Sequence, residues 1–175
     1  DDKTLHHIFA ETAKRYADRD ALVFPGDAEN PANEDTAAIR MTYGQLDTES
    51  DRLAAILREN GVGKGDLVAF LMDRSPQMVV TVLAILKAGG AYLPVDPIYP
   101  KERIDYIIAD SQARVSVTDT PEIFPNAVKI EDTGLFISAA TPAQGRESSG
   151  SGPASVSPDS AAYVIYTSGT TGKPK

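Results

Sequence analysis

Cysteine is absent from all 175 residues, which excludes disulfides, thiolate metal sites and a Cys nucleophile within this chain. The absence fits a reducing compartment, and a cytoplasmic location is the expectation. Positive charge is also scarce: 17 Lys and Arg stand against 25 Asp and Glu, a net charge of -8, and no long basic run offsets it. A nucleic-acid partner is therefore a poor fit, and any phosphate site has to be local. No apolar run is long enough to cross a bilayer, so no membrane partner is expected. The only two His are adjacent, His6 and His7, without thiolate or paired-His spacing. One is expected to pack and one to be solvated, with no metal between them. Neither an initiator Met nor a basic-then-apolar leader precedes Asp1-Asp2-Lys3-Thr4, so the chain reads as processed or as starting inside a longer polypeptide.

What is present is ordinary globular material, 42% hydrophobic and 24% charged. Apolar residues Leu5, Ile8, Phe9 and Ala13 recur at helical spacing between Thr4 and Tyr16. Ala21 to Phe24 and Ile39 to Thr42 read as two short strands pairing in a hairpin across a polar loop. Thr42-Tyr43-Gly44-Gln45 has capping-box spacing, and Leu46, Leu53, Ile56 and Leu57 continue a helix that Asn60-Gly61 ends. From there strand and helix alternate. Asp66 to Met72 is a buried strand, Ser75-Pro76 opens a helix closed by Gly89-Gly90, and Ala91 to Val95 is the next strand. Pro100 starts a further helix, followed by a strand at Arg114 to Thr118 and weaker strand candidates at Val128 to Ile130 and Leu135 to Ile137. Alternation of this kind predicts an α/β fold, a mostly parallel layered sheet with helices on both faces, with ligands at the carboxyl ends of the strands. Thr141 to Ser160, rich in Ser, Gly, Pro and Ala, reads as a flexible surface segment.

After it, Ala161 to Tyr166 reads as a buried strand running into Thr167-Ser168-Gly169-Thr170-Thr171-Gly172-Lys173-Pro174-Lys175. Four hydroxyls, two glycines and two lysines in one run suit a backbone that wraps polyphosphate oxygens: glycine allows the bends, and hydroxyls and ammonium groups neutralise charge. The run fails the Walker A pattern twice, with Thr167 where Gly is required and Pro174 where Ser or Thr would hold Mg²⁺, so a P-loop kinase or GTPase is disfavoured. The plain alternative is a Ser/Thr/Gly surface loop without a ligand. Gly61-Val62-Gly63-Lys64-Gly65 is glycine-rich too, but it follows a helix and precedes a strand, the reverse of a dinucleotide site, and reads as a connecting turn. Asp66, Asp73, Asp96 and Asp105 are expected to cap, turn or meet solvent, and none is assigned as a catalytic base.

The run from Tyr166 to Lys175 resembles the signature of the adenylate-forming superfamily, Tyr-Thr-Ser-Gly-Thr-Thr-Gly-x-Pro-Lys, whose next Gly falls beyond Lys175. Leu86-Lys87-Ala88-Gly89-Gly90-Ala91-Tyr92-Leu93-Pro94-Val95-Asp96, with Pro97 to Pro100 and Arg103, resembles the second core motif of nonribosomal peptide synthetase adenylation domains. It is the most discriminating stretch, and its residues are expected to build the fold and not to catalyse. Met41 to Leu46 resembles the first core motif, with Gln45 where Glu is usual, an exchange a capping box tolerates. The likeness covers most of the chain apart from residues 26–40 and 134–157.

The resemblance implies that residues 1–175 are the N-terminal portion of an adenylation domain, cut inside its phosphate-binding loop, in the large subdomain of an AMP-forming ligase. It implies activation of an amino or aryl acid as acyl-AMP with ATP and Mg²⁺, then transfer to the phosphopantetheine of a peptidyl carrier protein. Thr167, Ser168, Gly169, Thr170, Thr171, Gly172 and Lys173 would meet the ATP phosphates. No catalytic residue or metal ligand is expected in this chain, which alone would be inactive. The rest of the domain would be supplied as a continuing or separate chain. An acyl-CoA ligase or luciferase-like relative, and a noncatalytic scaffold, are the alternatives.

Overall fold

The computed structural model describes residues 3–25, 38–124, 126–139 and 156–167. Helix α1 (Leu5–Arg15) precedes the hairpin of β1 (Asp20–Phe24) and β2 (Ile39–Thr42), which pair antiparallel. Helix α2 (Tyr43–Glu59) starts directly from β2, and its capping box is complete. The Gln45 amide donates to Thr42 Oγ1 at 3.2 Å, and Gln45 Oε1 accepts from the Thr42 amide at 2.9 Å. Two amides left free by the first turn are thereby satisfied with Gln in the place of Glu.

The alternating region then builds the sheet: β3 (Leu67–Leu71), α3 (Pro76–Ala88), β4 (Ala91–Pro94), α4 (Lys101–Ser111) and β5 (Val115–Thr118). Two further strands follow, β6 (Val128–Ile130) and β7 (Leu135–Ala139). The order is β4-β3-β5-β7-β6, with β3 parallel to both β4 and β5, and β7 antiparallel to β5 and to β6. Strand β7 alone therefore runs against the other four. Side chains of β3 alternate between two cores. Val68 and Phe70 join Leu53, Leu57 and Ile85 of α2 and α3 on one face, while Ala69 and Leu71 join Ile104 and Ile107 of α4 on the other. A strand buried on both faces has to be apolar throughout, which is why the sequence there shows a continuous run and no alternation. The fold is the α/β arrangement expected, with helices on both faces.

The stretch from Leu86 to Asp96 is used in folding. Gly89 ends α3 in the left-handed region, φ 95°, which a side chain would oppose. Lys87 turns inward, its side chain only 9% exposed, and donates to Asp47 Oδ1 at 2.6 Å and Asp51 Oδ1 at 2.7 Å on α2. Its ammonium also lies 5.5 Å from the centre of the Phe9 ring of α1. One lysine thus pins three helices. Lys87→Met keeps the aliphatic stem but leaves two carboxylates that are 26% and 67% exposed and can rehydrate. The expected loss in urea denaturation is about 1 kcal/mol, against about 3 kcal/mol for Lys87→Ala, which also opens space beneath Phe9.

One expectation is corrected. Ala161 to Tyr166 does not form a buried strand: the structure has a single parallel bridge, Tyr92 to Tyr163, on the free edge of β4. Tyr163 and Ile165 are 55% and 57% exposed, because among the described residues no element covers their outward face. The stretch from Gly61 to Gly65 is the connecting turn expected, closed by the Gly63 amide donating to Asp66 Oδ2 at 2.9 Å. Of residues 141–160, those up to 155 lie outside the described residues. Among the described residues, no helix is long and apolar enough to cross a membrane.

Candidate functional site

The bridge at Tyr163 sets the geometry of the site. The Tyr92 amide donates to the Ala162 carbonyl and the Val164 amide to the Tyr92 carbonyl, each at 3.0 Å. The rings of Tyr92 and Tyr163 stack with centroids 5.6 Å apart and planes 25° from parallel. Because the bridge is parallel, the residues after Tyr163 advance in the direction of β4. Thr167 therefore emerges where β3, β4 and β5 end, the edge at which open α/β sheets hold ligands. At that edge the Thr118 hydroxyl donates to the Leu71 carbonyl at 2.7 Å and accepts from the Thr120 amide at 3.0 Å, tying the ends of β3 and β5 together.

Alternation along this short extended segment decides what anchors it. Tyr163 and Ile165 face outward, while Val164 and Tyr166 pack against the core formed by Leu93, Ile104 and Ile107. The Tyr166 hydroxyl donates to Asp110 Oδ2 of α4 at 2.5 Å. Burial first, and then the hydrogen bond and charge of Asp110, push the Tyr166 phenol up to about 12 from its ordinary 10.0. A native pKa above the unfolded one means that stability from this group is full below pH 10 and is lost as pH rises from about 10 to about 12. Urea midpoints followed across that window should decline more steeply for the native sequence than for Tyr166→Phe, whose ring cannot titrate.

Of the residues expected to meet phosphate, Thr167 lies exposed at the carboxyl edge. Ser168, Gly169, Thr170, Thr171, Gly172 and Lys173 lie outside the described residues. The contact between Tyr166 and Asp110 was not legible as part of a site. The one available signal was an acid in the last turn of a helix, a position that favours cations.

Other polar groups have local tasks. Asp96 Oδ1 accepts from the Ile98 amide at 2.9 Å, and Asp105 pairs with Lys101 one turn away. His6 is half-buried and His7 exposed, and both share hydrogen bonds with the Thr4 hydroxyl. Burial, then His7 and Lys87, hold the His6 pKa below its ordinary value. Among the described residues, no group of three or more His, Asp or Glu is arranged to hold a metal ion. Among the described residues, clefts also open elsewhere, of about 320 Å³ between Arg40, Glu49 and Asp132, about 490 Å³ beside Arg52 and Val128, and about 170 Å³ between His6, Ser157 and Ala161.

A family model described as AMP-binding enzyme matches residues 9–175. Tyrocidine synthase 2 of Brevibacillus parabrevis is 40% identical over 174 residues, covering 99% of this chain and 4% of that protein. Tyrocidine synthase 3 of the same organism is 43% identical over 182 residues, covering 99% of this chain and 2% of its own length. The chain thus spans a few per cent of these curated relatives. The N-terminal subdomain of Klebsiella oxytoca NpsA in complex with 3-hydroxyanthranilyl-AMSN matches with a TM-score of 0.69 at 28% identity, over 99% of this chain and 39% of that one. The nonribosomal peptide synthetase FmoA3, in its alpha-methyl-L-serine-AMP bound form, matches with a TM-score of 0.71 at 28% identity, over 100% of this chain and 17% of that one. NpsA-ThdA, an artificially fused adenylation-PCP di-domain from Klebsiella oxytoca, matches with a TM-score of 0.59 at 30% identity, over 71% of this chain and 21% of that one.

Proposed function

Because the chain belongs to the AMP-binding enzyme family, we propose that residues 1–175 are the N-terminal portion of an adenylation domain of a nonribosomal peptide synthetase. The domain joins an amino or aryl acid to AMP. A carboxylate oxygen of the acid bonds to the α-phosphorus of ATP, the bond to the β-phosphate breaks, and pyrophosphate leaves. The acyl group then passes to the phosphopantetheine thiol of a peptidyl carrier protein, releasing AMP. The reading puts the enzyme in the cytoplasm, where ATP and carrier protein are at hand.

The observation that carries this reading is the parallel bridge at Tyr163, which brings Thr167 out at the carboxyl edge of the sheet. From that point the hydroxyls of Thr167, Ser168, Thr170 and Thr171 donate hydrogen bonds to β- and γ-phosphate oxygens, and Lys173 offsets charge growing on the departing pyrophosphate. Gly169 and Gly172 let the backbone approach closely. Mg²⁺ accompanies the nucleotide; among the described residues no group of three or more His, Asp or Glu is arranged to hold it. The remaining part of the domain, as a continuing or a separate chain, holds the adenine, the ribose and the acid.

The reading is tested by exchange of radiolabelled pyrophosphate into ATP with the intact domain and a panel of amino and aryl acids. One acid should stimulate exchange strongly over the others, and the 175-residue chain alone should support none. Exchange that no acid stimulates in the intact domain would remove the adenylation reading.

A further inference from the structure

Asp110 breaks a local rule. It stands in the last turn of α4, where unpaired carbonyls favour a cation, and that turn contains no basic residue. The carboxylate is therefore set against its own helix. What it holds is the Tyr166 hydroxyl, 56 positions away in sequence, at 2.5 Å. A residue that costs local stability and makes one long-range contact marks a position shaped by something other than the helix.

Tyr166 is the last residue before Thr167, and it is held at two points. Its ring packs in the core with Ile104 and Ile107 of α4, and its hydroxyl is fixed by Asp110 of the same helix. Upstream, among the described residues, the backbone of the segment meets the sheet at the bridge at Tyr92, with two hydrogen bonds on an open edge, beside the stacked rings of Tyr92 and Tyr163. The anchor at Tyr166, three residues further on, adds a side-chain hydrogen bond to α4 and restricts rotation of the segment about the bridge. The phenol is protonated through the physiological range and so remains a donor to Asp110.

We propose that Asp110 is a positioning residue for the phosphate-binding run: through Tyr166 it fixes the point and direction in which the chain leaves the sheet at Thr167. The inference rests on the adenylation reading and deepens it. Neither side chain need touch substrate. Their effect is on where the hydroxyls that follow are delivered, and small misplacements of such groups are costly.

The test uses the intact domain with Tyr166→Phe, Asp110→Ala and the double variant. Each single change should raise the KM for ATP about tenfold, as loss of one charge-assisted hydrogen bond would, with the KM for the acid unchanged and the double variant no worse than either single. Asp110→Asn, whose amide oxygen can still accept from the phenol, should recover most of the loss. Hydrogen exchange in a peptide spanning residues 163–175 should quicken in both single variants. An unchanged KM for ATP, additive effects in the double variant, or a lowered Tm without a change in KM would each overturn the proposal. If the unaltered domain supports no acid-stimulated exchange, the adenylation reading falls. Hydrogen exchange then decides the positioning role alone: quickening supports it, and an unchanged rate overturns it.

Discussion

Lys173→Ala in the intact domain should lower kcat/KM for acid-stimulated pyrophosphate exchange about a hundredfold, the loss typical when one preorganised charge partner of a transition state is removed. Charge builds on the leaving pyrophosphate as the acid bonds to the α-phosphorus, so an ammonium beside it does more for the transition state than for bound ATP. The loss should therefore fall mainly on kcat, with the KM for ATP rising less. Lys173→Arg should recover only part, since a planar guanidinium does not reproduce a compact ammonium. The control is Lys64→Ala. Lys64 likewise follows a glycine, but it sits in the turn between α2 and β3, where it is exposed. A surface lysine of that kind contributes little, and its removal should leave the kinetics unchanged. Equal effects at the two positions would mean that general positive charge, and not a local site, accounts for nucleotide affinity in this acidic chain.

The contrast between the two lysine-bearing glycine runs could be read from sequence order alone, because one follows an extended apolar segment and the other leads from a helix into a strand, and these leave a parallel sheet at opposite edges. Local chemistry was legible in the same way. The capping box at Thr42 and Gln45, Ser75 with Pro76 at the start of α3, and Gly89 at its end each involve neighbours within a few residues, so spacing is sufficient. The reversal of β7 was less legible. It depends on a tight turn after Ile130 in which Asp132 and Gly134 both take positive φ, 58° and 71°. Short strands of three and five residues carry too little periodicity to announce direction. Contacts between distant residues were not legible. The second core motif identified Lys87 as a family position, but its partners Asp47 and Asp51 lie 40 and 36 residues away on another helix. The run Ala161 to Tyr166 looked buried because it is apolar. Whether an apolar edge segment is covered depends on what pairs with its far side, and its own residues do not encode that.

The two cores on either side of β3 make a separation of stability from site geometry testable. Leu93 and Leu53 are both fully enclosed, 0% and 1% exposed, Leu93 on β4 in the core beneath α4 and Leu53 on α2 in the core it shares with α3. Truncation to Ala leaves a cavity of similar chemistry in each, so Leu93→Ala and Leu53→Ala should each cost about 3 kcal/mol by urea denaturation of the intact domain. Their kinetic consequences should differ. Leu93 belongs to the core that also receives Ile104 and Ile107 of α4 and, from the edge segment, Val164 and Tyr166. Loosening that core shifts both ends of the contact between Asp110 and Tyr166. Leu53 packs on the opposite face of the sheet, in the core that holds Val68, Phe70 and Ile85, and shares no core with Tyr166 or α4. At a temperature where both variants remain folded, Leu93→Ala should therefore raise the KM for ATP severalfold, and Leu53→Ala should leave it near the native value. Parallel rises in KM would mean that the sheet transmits strain across both faces equally. The chain leaving the sheet at Thr167 would then take its direction from the whole layer, and not from α4 through a single tyrosine.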